Sequence, residues 1–560
     1  MNAIVITLVH LLAFLGGGIF VSTWLETKKV FKPQYALIVA YAVSCLVGLA
    51  LFFVYAYDPG LGTYVTGLVY LLGFVGFIGC VYKFGKDNKF RKVIRSHILP
   101  PLALILIVGT FYSLITFGCP TNNDTGAVVN PISNACLFKD SPGDNLLAEF
   151  FSETVIENQD GTPSGDWSLA DRPPLQIGSV ISLLDILPEN ASRHVSYQLF
   201  STFLQLAWIA GLWALLKSMN VSKSSQKLVL FLSTFTGFYY FNSVYVWPKL
   251  LGAGLAIAGV SLLIYDYKSR KQLNRSEYFY WVTVASLFAL SMLSHGSIIF
   301  TILPLGLYLL LTKHLPSFKI IIVALSAFLI IYGPWALYQE QRTDSNRLVK
   351  WHLAGVIAVD ERSTVAAIKD SYTSISTNEW VNARFENFNT LFSIDVDYGS
   401  KNPSSAERLR QQEFFATITA LSVLNAGWVA LLMMRRKKDP TLKKVTPLLV
   451  LSLVSLVAWN ILMFLPGSAV IHQNSYVTMM LLITSLVVAI GTINKNLQLV
   501  VTVSQVIIFL AVWVITLPQD NQQSIWPILS LSILGVAGVA LCLYYGELML
   551  LAKRYVKAKQ

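Results

Sequence analysis

Long apolar runs separated by short clusters of charge set the pattern of this chain. Runs of about 20 apolar residues are long enough to cross a hydrocarbon layer of roughly 30 Å. They lack the alternation, over about 10 residues, that marks a membrane barrel strand. In lipid a spanning segment must satisfy its own backbone groups, so these runs predict helices. The pattern places them near 3–24, 35–56, 64–82, 98–118, 197–216, 228–243, 250–266, 278–294, 297–312, 320–338, 414–433, 446–465, 475–492, 498–516 and 526–548. The expected fold is an all-α polytopic membrane protein, a bundle of about 15 helices with two large loops. The first run lacks a basic start and a small-residue cleavage site, so it reads as a span and not as a signal peptide.

Charge adds an orientation. Of the 560 residues only 13% are charged, against about 25% in soluble domains. One set of alternate loops, including Lys83 to Arg95 and Arg435 to Lys444, holds roughly 29 basic and 6 acidic residues, and the other roughly 13 and 24. Basic residues stay inside, which puts the N-terminus outside and the C-terminus in the cytoplasm. The net charge of +12 is thereby a topology signal, and no nucleic-acid partner is expected. Two long loops, 119–196 and 339–413, fall on the same outer side, where long loops usually carry function. Cys119 and Cys136 share the first of them, in a compartment that permits a disulfide, and a Cys119–Cys136 bridge is expected.

The informative stretch is Asp144 to Ile181. Leu146, Leu147, Phe150 and Phe151 make an amphipathic pattern suited to an interfacial helix. Asp144 would stand near its N-terminus, where a carboxylate is favoured, and its plainer reading is a helix cap. Then follow Gly165-Asp166-Trp167 and Ala170-Asp171-Arg172-Pro173-Pro174-Leu175. The prolines keep Arg172 out of a helix. A rigid guanidinium suits a phosphate, although Asp166 or Asp171 offers it a simple ion pair.

This order of residues resembles the catalytic loop of membrane glycosyltransferases of the GT-C superfamily, in the branch of the aminoarabinose transferases and protein O-mannosyltransferases. The matching positions are Asp144, Ala148-Glu149, Gly165-Asp166-Trp167 and Arg172-Pro173-Pro174-Leu175. The resemblance implies a GT-C-like bundle whose outer loop 119–196 is catalytic. Residues 1–97 would be a three-helix extension before a core at 98–338, with the second loop at 339–413 and further spans in 414–560. It implies a glycosyltransferase in a bacterial inner membrane that uses a polyprenyl-phosphate sugar and acts on a lipid, glycan or protein acceptor. Asp144 would be the base, with Glu149, Asp166 and Asp171 in reserve, and Arg172 would contact the phosphate.

Other predicted outer helix ends add candidates. Lys249 follows Tyr245-Val246-Trp247-Pro248, and otherwise reads as a lysine reaching back to the interface. His295 and His472 sit at ends of spans, as phosphate or sugar donors or as packed imidazoles. In the second loop Arg342, Arg347, Lys350 and His352 cluster, and Trp380, Arg384, Phe385 and Phe388 form a candidate lid. No dense ligand cluster marks a metal, so no cofactor is required, although a divalent metal stays open, and the lack of a glycine-rich nucleotide loop speaks against a nucleotide-sugar donor on the cytoplasmic side. Two other classes stay open. An O-antigen polymerase or ligase also has many spans and a large outer loop, and leans on Arg and His. A lipid or glycan transporter would show repeats and ionisable residues inside broken spans.

Overall fold

The computed structural model describes residues 2–117, 155, 170, 172–188, 193–267, 277–341, 347–356, 360, 362–392, 405–515 and 525–559. Asp144, Glu149, Asp166, Asp171, Arg342, Cys119 and Cys136 lie outside them. Every regular element among the described residues is helical, and ten helices are long and apolar enough to cross a membrane. The chain is an all-α membrane protein. Two expected spans are broken. The run 228–243 divides at Phe235-Thr236 into helices Lys223–Thr234 and Gly237–Val244. The run 414–433 is interrupted at Ser422, whose φ is 46°.

Three helices open the chain: α1 (Asn2–Thr27), α2 (Ala36–Tyr57) and α3 (Pro59–Lys86). The α2–α3 turn is set by Asp58, whose carboxylate accepts from the Leu61 N–H at 3.1 Å, with Pro59 in the first turn. Helix α4 (Leu99–Phe117) follows. The Arg172-Pro173-Pro174 segment does not lead into an outer loop. It ends at once in α5 (Leu175–Leu184), in which every residue is buried. Pro174 sits at the N-cap, where its missing N–H costs nothing. Helix α5 lies against α2 so closely that a Cβ on Gly178 would collide with the Gly48 carbonyl.

The centre of the bundle comprises α6 (Arg193–Gln205), its continuation through Ser218, α7 (Gly237–Val244), α8 (Lys249–Ser261) and a late helix described below. The stretch 249–266 is 89% buried, and most of 195–218 is buried as well. Helix α8 starts on Lys249 and runs on through a π-helical turn to Asp266. Cations are disfavoured at a helix N-terminus and anions at a C-terminus, so the ends of this segment answer to local partners. At the Asp266 end those partners are the Lys32 ammonium (2.5 Å), the Tyr35 hydroxyl (2.8 Å), the Ser218 hydroxyl (2.9 Å) and the Gln34 amide (3.3 Å). They tie α8 to the segment that enters α2.

Around this centre stand α9 (Glu277–Ser294), the helix Ile299–Leu311 and α10 (Phe318–Glu340), the last with mostly lipid-accessible side chains. The second long loop folds into short helices, among them α11 (Arg347–Ala354), α12 (Thr377–Thr390) and α13 (Ser405–Phe415). A Ser376–Glu379 capping box opens α12. Helices α14 (Leu442–Leu462), α15 (Tyr476–Ile490), α16 (Lys495–Leu510) and a terminal helix Ile525–Lys559 complete the chain. Helix α15 is the late central helix, and every one of its residues is buried.

Candidate functional site

Two motifs far apart in sequence are clamped together at one end of the bundle. The turn between α7 and α8, Tyr245-Val246-Trp247-Pro248, holds Val246 at φ 55°. A β-branched residue there is strained, by about 1–3 kcal/mol. Glutamines from the central helices hold it in place. The Gln176 amide, next to Leu175 in α5, donates to the Val246 carbonyl (2.8 Å), and Gln198 donates to Val244 O (2.6 Å). Gln205 donates to Gln176 Oε1 (2.6 Å) and accepts from the Leu251 N–H (3.0 Å). The result places the Arg172 guanidinium 4.5 Å from the centre of the Trp247 ring. Replacing Gln176 with leucine strips buried partners from Val246 and Gln205. It is expected to cost about 1–3 kcal/mol, read as a lowered Tm of the detergent-solubilised protein.

Lys249, the first residue of α8, is 3% exposed. It does not reach back to an interface. Its ammonium donates to the His472 carbonyl and lies 5.1 Å from the Tyr476 ring. The His472 ring packs at 5.9 Å from both Tyr245 and Trp247, and Tyr476 donates to Asn242 Oδ1 at 2.5 Å. His295 caps the turn after α9. Its Nδ1 accepts from the Ser297 N–H at 3.1 Å, which leaves the ring proton on Nε2 as a donor. Ser297 in turn donates to Asn474 O (3.2 Å) and Thr301 meets Ser475 (2.8 Å), locking the start of helix 299–311 to the start of α15.

His352 of α11 completes the group. The charged groups acting on His295 are Lys249, Arg172, His472 and His352, all basic. Burial first, then the neighbouring Lys249 and Arg172 charges, hold His295 and His472 well below the ordinary imidazole range. The same causes push His352 down to about 3. The imidazoles are therefore neutral at pH 7 and act as hydrogen-bond partners. The N-termini of α5, α8, α15 and helix 299–311 all open onto this cluster. Helix N-termini favour anions, so backbone and side chains agree on a site for negative charge.

The second loop holds the cluster from above. Arg384 donates to the carbonyls of Ile461 (2.6 Å) and Phe464 (2.5 Å), and Asn387 donates to Met463 O (2.8 Å) and accepts from the Ser468 N–H (3.0 Å). Phe464 N donates to His352 O (2.9 Å). Helix α12 thus clamps the segment that leads to His472. Of the expected lid residues, Arg384 takes this structural part and stacks on Trp380 at 5.3 Å, whereas Phe385 and Phe388 are exposed. Lys350 points elsewhere, to Asp360 O at 2.5 Å.

Besides Asp266, a second buried carboxyl among the described residues went unnoticed in the sequence. Glu413 of α13 accepts from the Trp513 indole, beside Arg410, whose Nε donates to Val512 O at 2.9 Å. A row of rings joins it to the cluster: Trp513 to Phe241 (5.7 Å), Phe241 to Tyr245 (5.2 Å), then His472. Burial pushes the Glu413 carboxyl up to about 7, against the opposing pull of Trp513 and Arg410. A carboxyl raised on folding stabilises below its ordinary range and loses that contribution as pH rises toward 7. A fall in Tm between about pH 4.5 and 7, worth on the order of 3 kcal/mol and flattened in Glu413→Gln, is the expected result.

Among the described residues no three His, Cys, Asp or Glu side chains stand close enough to hold a metal ion. Comparison of the chain with family models, curated proteins and solved structures gives no match.

Proposed function

We propose that this protein is a glycosyltransferase that takes a sugar from a polyprenyl-phosphate donor on the extracytoplasmic face of the membrane. The observation that supports the reading is the meeting of Arg172 and Lys249 with His295, His352 and His472 at four helix N-termini. An anion site inside a membrane bundle suits a phosphate carried on a lipid. In the reaction an acceptor oxygen bonds to the anomeric carbon as the bond from that carbon to the donor phosphate oxygen breaks. The acceptor proton passes to a base, and the electron pair leaves on polyprenyl phosphate. Arg172 and Lys249 offset the charge that grows on that phosphate. Asp144 is the base on this reading.

A second reading draws on the same cluster. Its wealth of Arg, Lys and His suits a polymerase or ligase of the O-antigen type, which works on a lipid diphosphate without a carboxylate base. The test is mass spectrometry of lipids and glycans from a strain lacking the gene, complemented with wild type, Asp144→Asn or His472→Gln. A transferase of the first kind shows one missing glycosyl mass that wild type restores and Asp144→Asn does not. Restoration by Asp144→Asn but not by His472→Gln favours the second reading, and an unchanged profile in the deletion strain contradicts both.

A further inference from the structure

A second group of cations stands at the opposite end of the bundle from His472. Ser218 donates to Asp266 at 2.9 Å, and Asp266 closes the segment that Lys249 begins, so Lys217 lies at the far end of the central helices. This is the end that the charge pattern of the sequence predicts to be cytoplasmic. There a pocket of about 120 Å³ opens between α4, the continuation of α6 through Ser218, helix Lys223–Thr234 and the terminal helix. Lys217, Lys223 and Lys227 line it, and among the described residues no Asp or Glu does. The charges acting on His97, just before α4, are Lys217 and Lys92, again basic.

Local structure does not account for these lysines. Lys223 is the first residue of its helix, where a cation is disfavoured, and Lys227 follows four residues later with a like charge. Lys217 is half-buried, with its ammonium 4.6 Å from the centre of the Trp213 ring, and the Lys227 ammonium lies 4.4 Å from that of Tyr544. Among the described residues the Lys217 and Lys223 ammonium groups have no carboxylate or carbonyl acceptor. The other wall of the pocket is apolar, made by Pro100, Leu230 and Leu543. It adjoins lipid-facing surface: Leu541 and Tyr545 of the terminal helix are 54% and 59% exposed and Leu99 of α4 is 45% exposed, all in segments able to cross a membrane. Cations on one side and an apolar wall open to the acyl layer on the other match a phospholipid with a negative head group. A free anion would leave the apolar wall unused.

We infer that this pocket is a binding site for an anionic phospholipid, whose phosphate lies between Lys217 and Lys223 while its acyl chains run along α4 and the terminal helix. The inference does not depend on the proposed transferase activity. Its test is native mass spectrometry of the full detergent-purified chain with dioleoyl phosphatidylglycerol, dioleoyl phosphatidylcholine and glycerol 3-phosphate. Phosphatidylglycerol is expected to bind one per chain in preference to phosphatidylcholine. Lys217→Met with Lys223→Met should lower that preference about 30-fold, roughly fivefold for each lysine. Lys83→Met with Lys86→Met removes two exposed lysines outside the pocket and should leave the preference unchanged. Lys223→Glu puts an acid at a helix start, where it is favoured, so Tm should hold or rise while phosphatidylglycerol binding falls at least as far as in Lys223→Met. Equal binding of the two lipids, a preference unaltered by Lys217→Met with Lys223→Met, or one lost equally in the Lys83 and Lys86 variant would overturn the inference. Glycerol 3-phosphate bound as tightly as phosphatidylglycerol would overturn it in favour of a soluble anion.

Discussion

On the proposed reading, replacing Lys249 with methionine is expected to cut glycosyl transfer about 100- to 1000-fold while leaving the protein as stable as before, or more so. Methionine keeps the length and packing of the side chain but removes a charge that is 3% exposed. Taking an ammonium out of water is costly, and apolar replacement of buried ionic groups is often neutral or stabilising. The His472 carbonyl loses one donor, a smaller cost. The same charge should count far more in the reaction. A fixed donor at a developing oxyanion contributes about 100- to 1000-fold in rate, and Lys249 shares its site with Arg172. The expected result is a fall of that size in kcat/KM with Tm unchanged or raised. A parallel loss of Tm and activity would mean that Lys249 only supports the fold.

Removal of Asp266 is expected to act in the opposite sense. At the far end of the same segment, Asp266→Ala withdraws the acceptor from Lys32, Tyr35, Ser218 and Gln34 together. Tyr35 is fully buried and cannot turn to water, whereas the Lys32 side chain is 33% exposed and can. The cost should therefore lie near the lower end of the range for a broken buried pair, about 3 kcal/mol. Thermal unfolding in detergent should show a clear drop in Tm, smaller in Asp266→Asn, with transfer per folded molecule retained. If Tm does not move, the network does not tie α8 to α2.

The apolar runs made the helical bundle legible, because lipid leaves the backbone few alternatives. Where the runs failed, the cause is local. Leu175–Leu184 follows two prolines and is too short for a span, so it reads as loop, yet close passage of Gly178 past Gly48 buries it in the bundle. Of the candidate site residues, Lys249, His295 and His472 carried a signal at ends of apolar runs, Arg172 before its two prolines and His352 in the basic cluster of the second loop, and these meet. Lys249 misled in one respect: a lysine at a span end suggests an interface, and only the tertiary fold shows it turned inward. Gln176, Gln198 and Gln205 were overlooked, although glutamines in apolar segments ask for partners, and Gln198 and Gln205 share a face of one helix. Glu413 had no signal at all, since its burial depends on Trp513, a hundred residues away.

The claim that matters most is that the cationic cluster holds a lipid-borne phosphate. Native mass spectrometry of the purified protein with undecaprenyl phosphate, and with undecaprenol as the phosphate-free control, tests it directly. Two charge-assisted contacts, each of about 1.5–3 kcal/mol, predict that Arg172→Met with Lys249→Met weakens undecaprenyl phosphate binding by at least about 100-fold, with the control unaffected. Equal affinity of wild type and double variant for the phosphate would contradict the account.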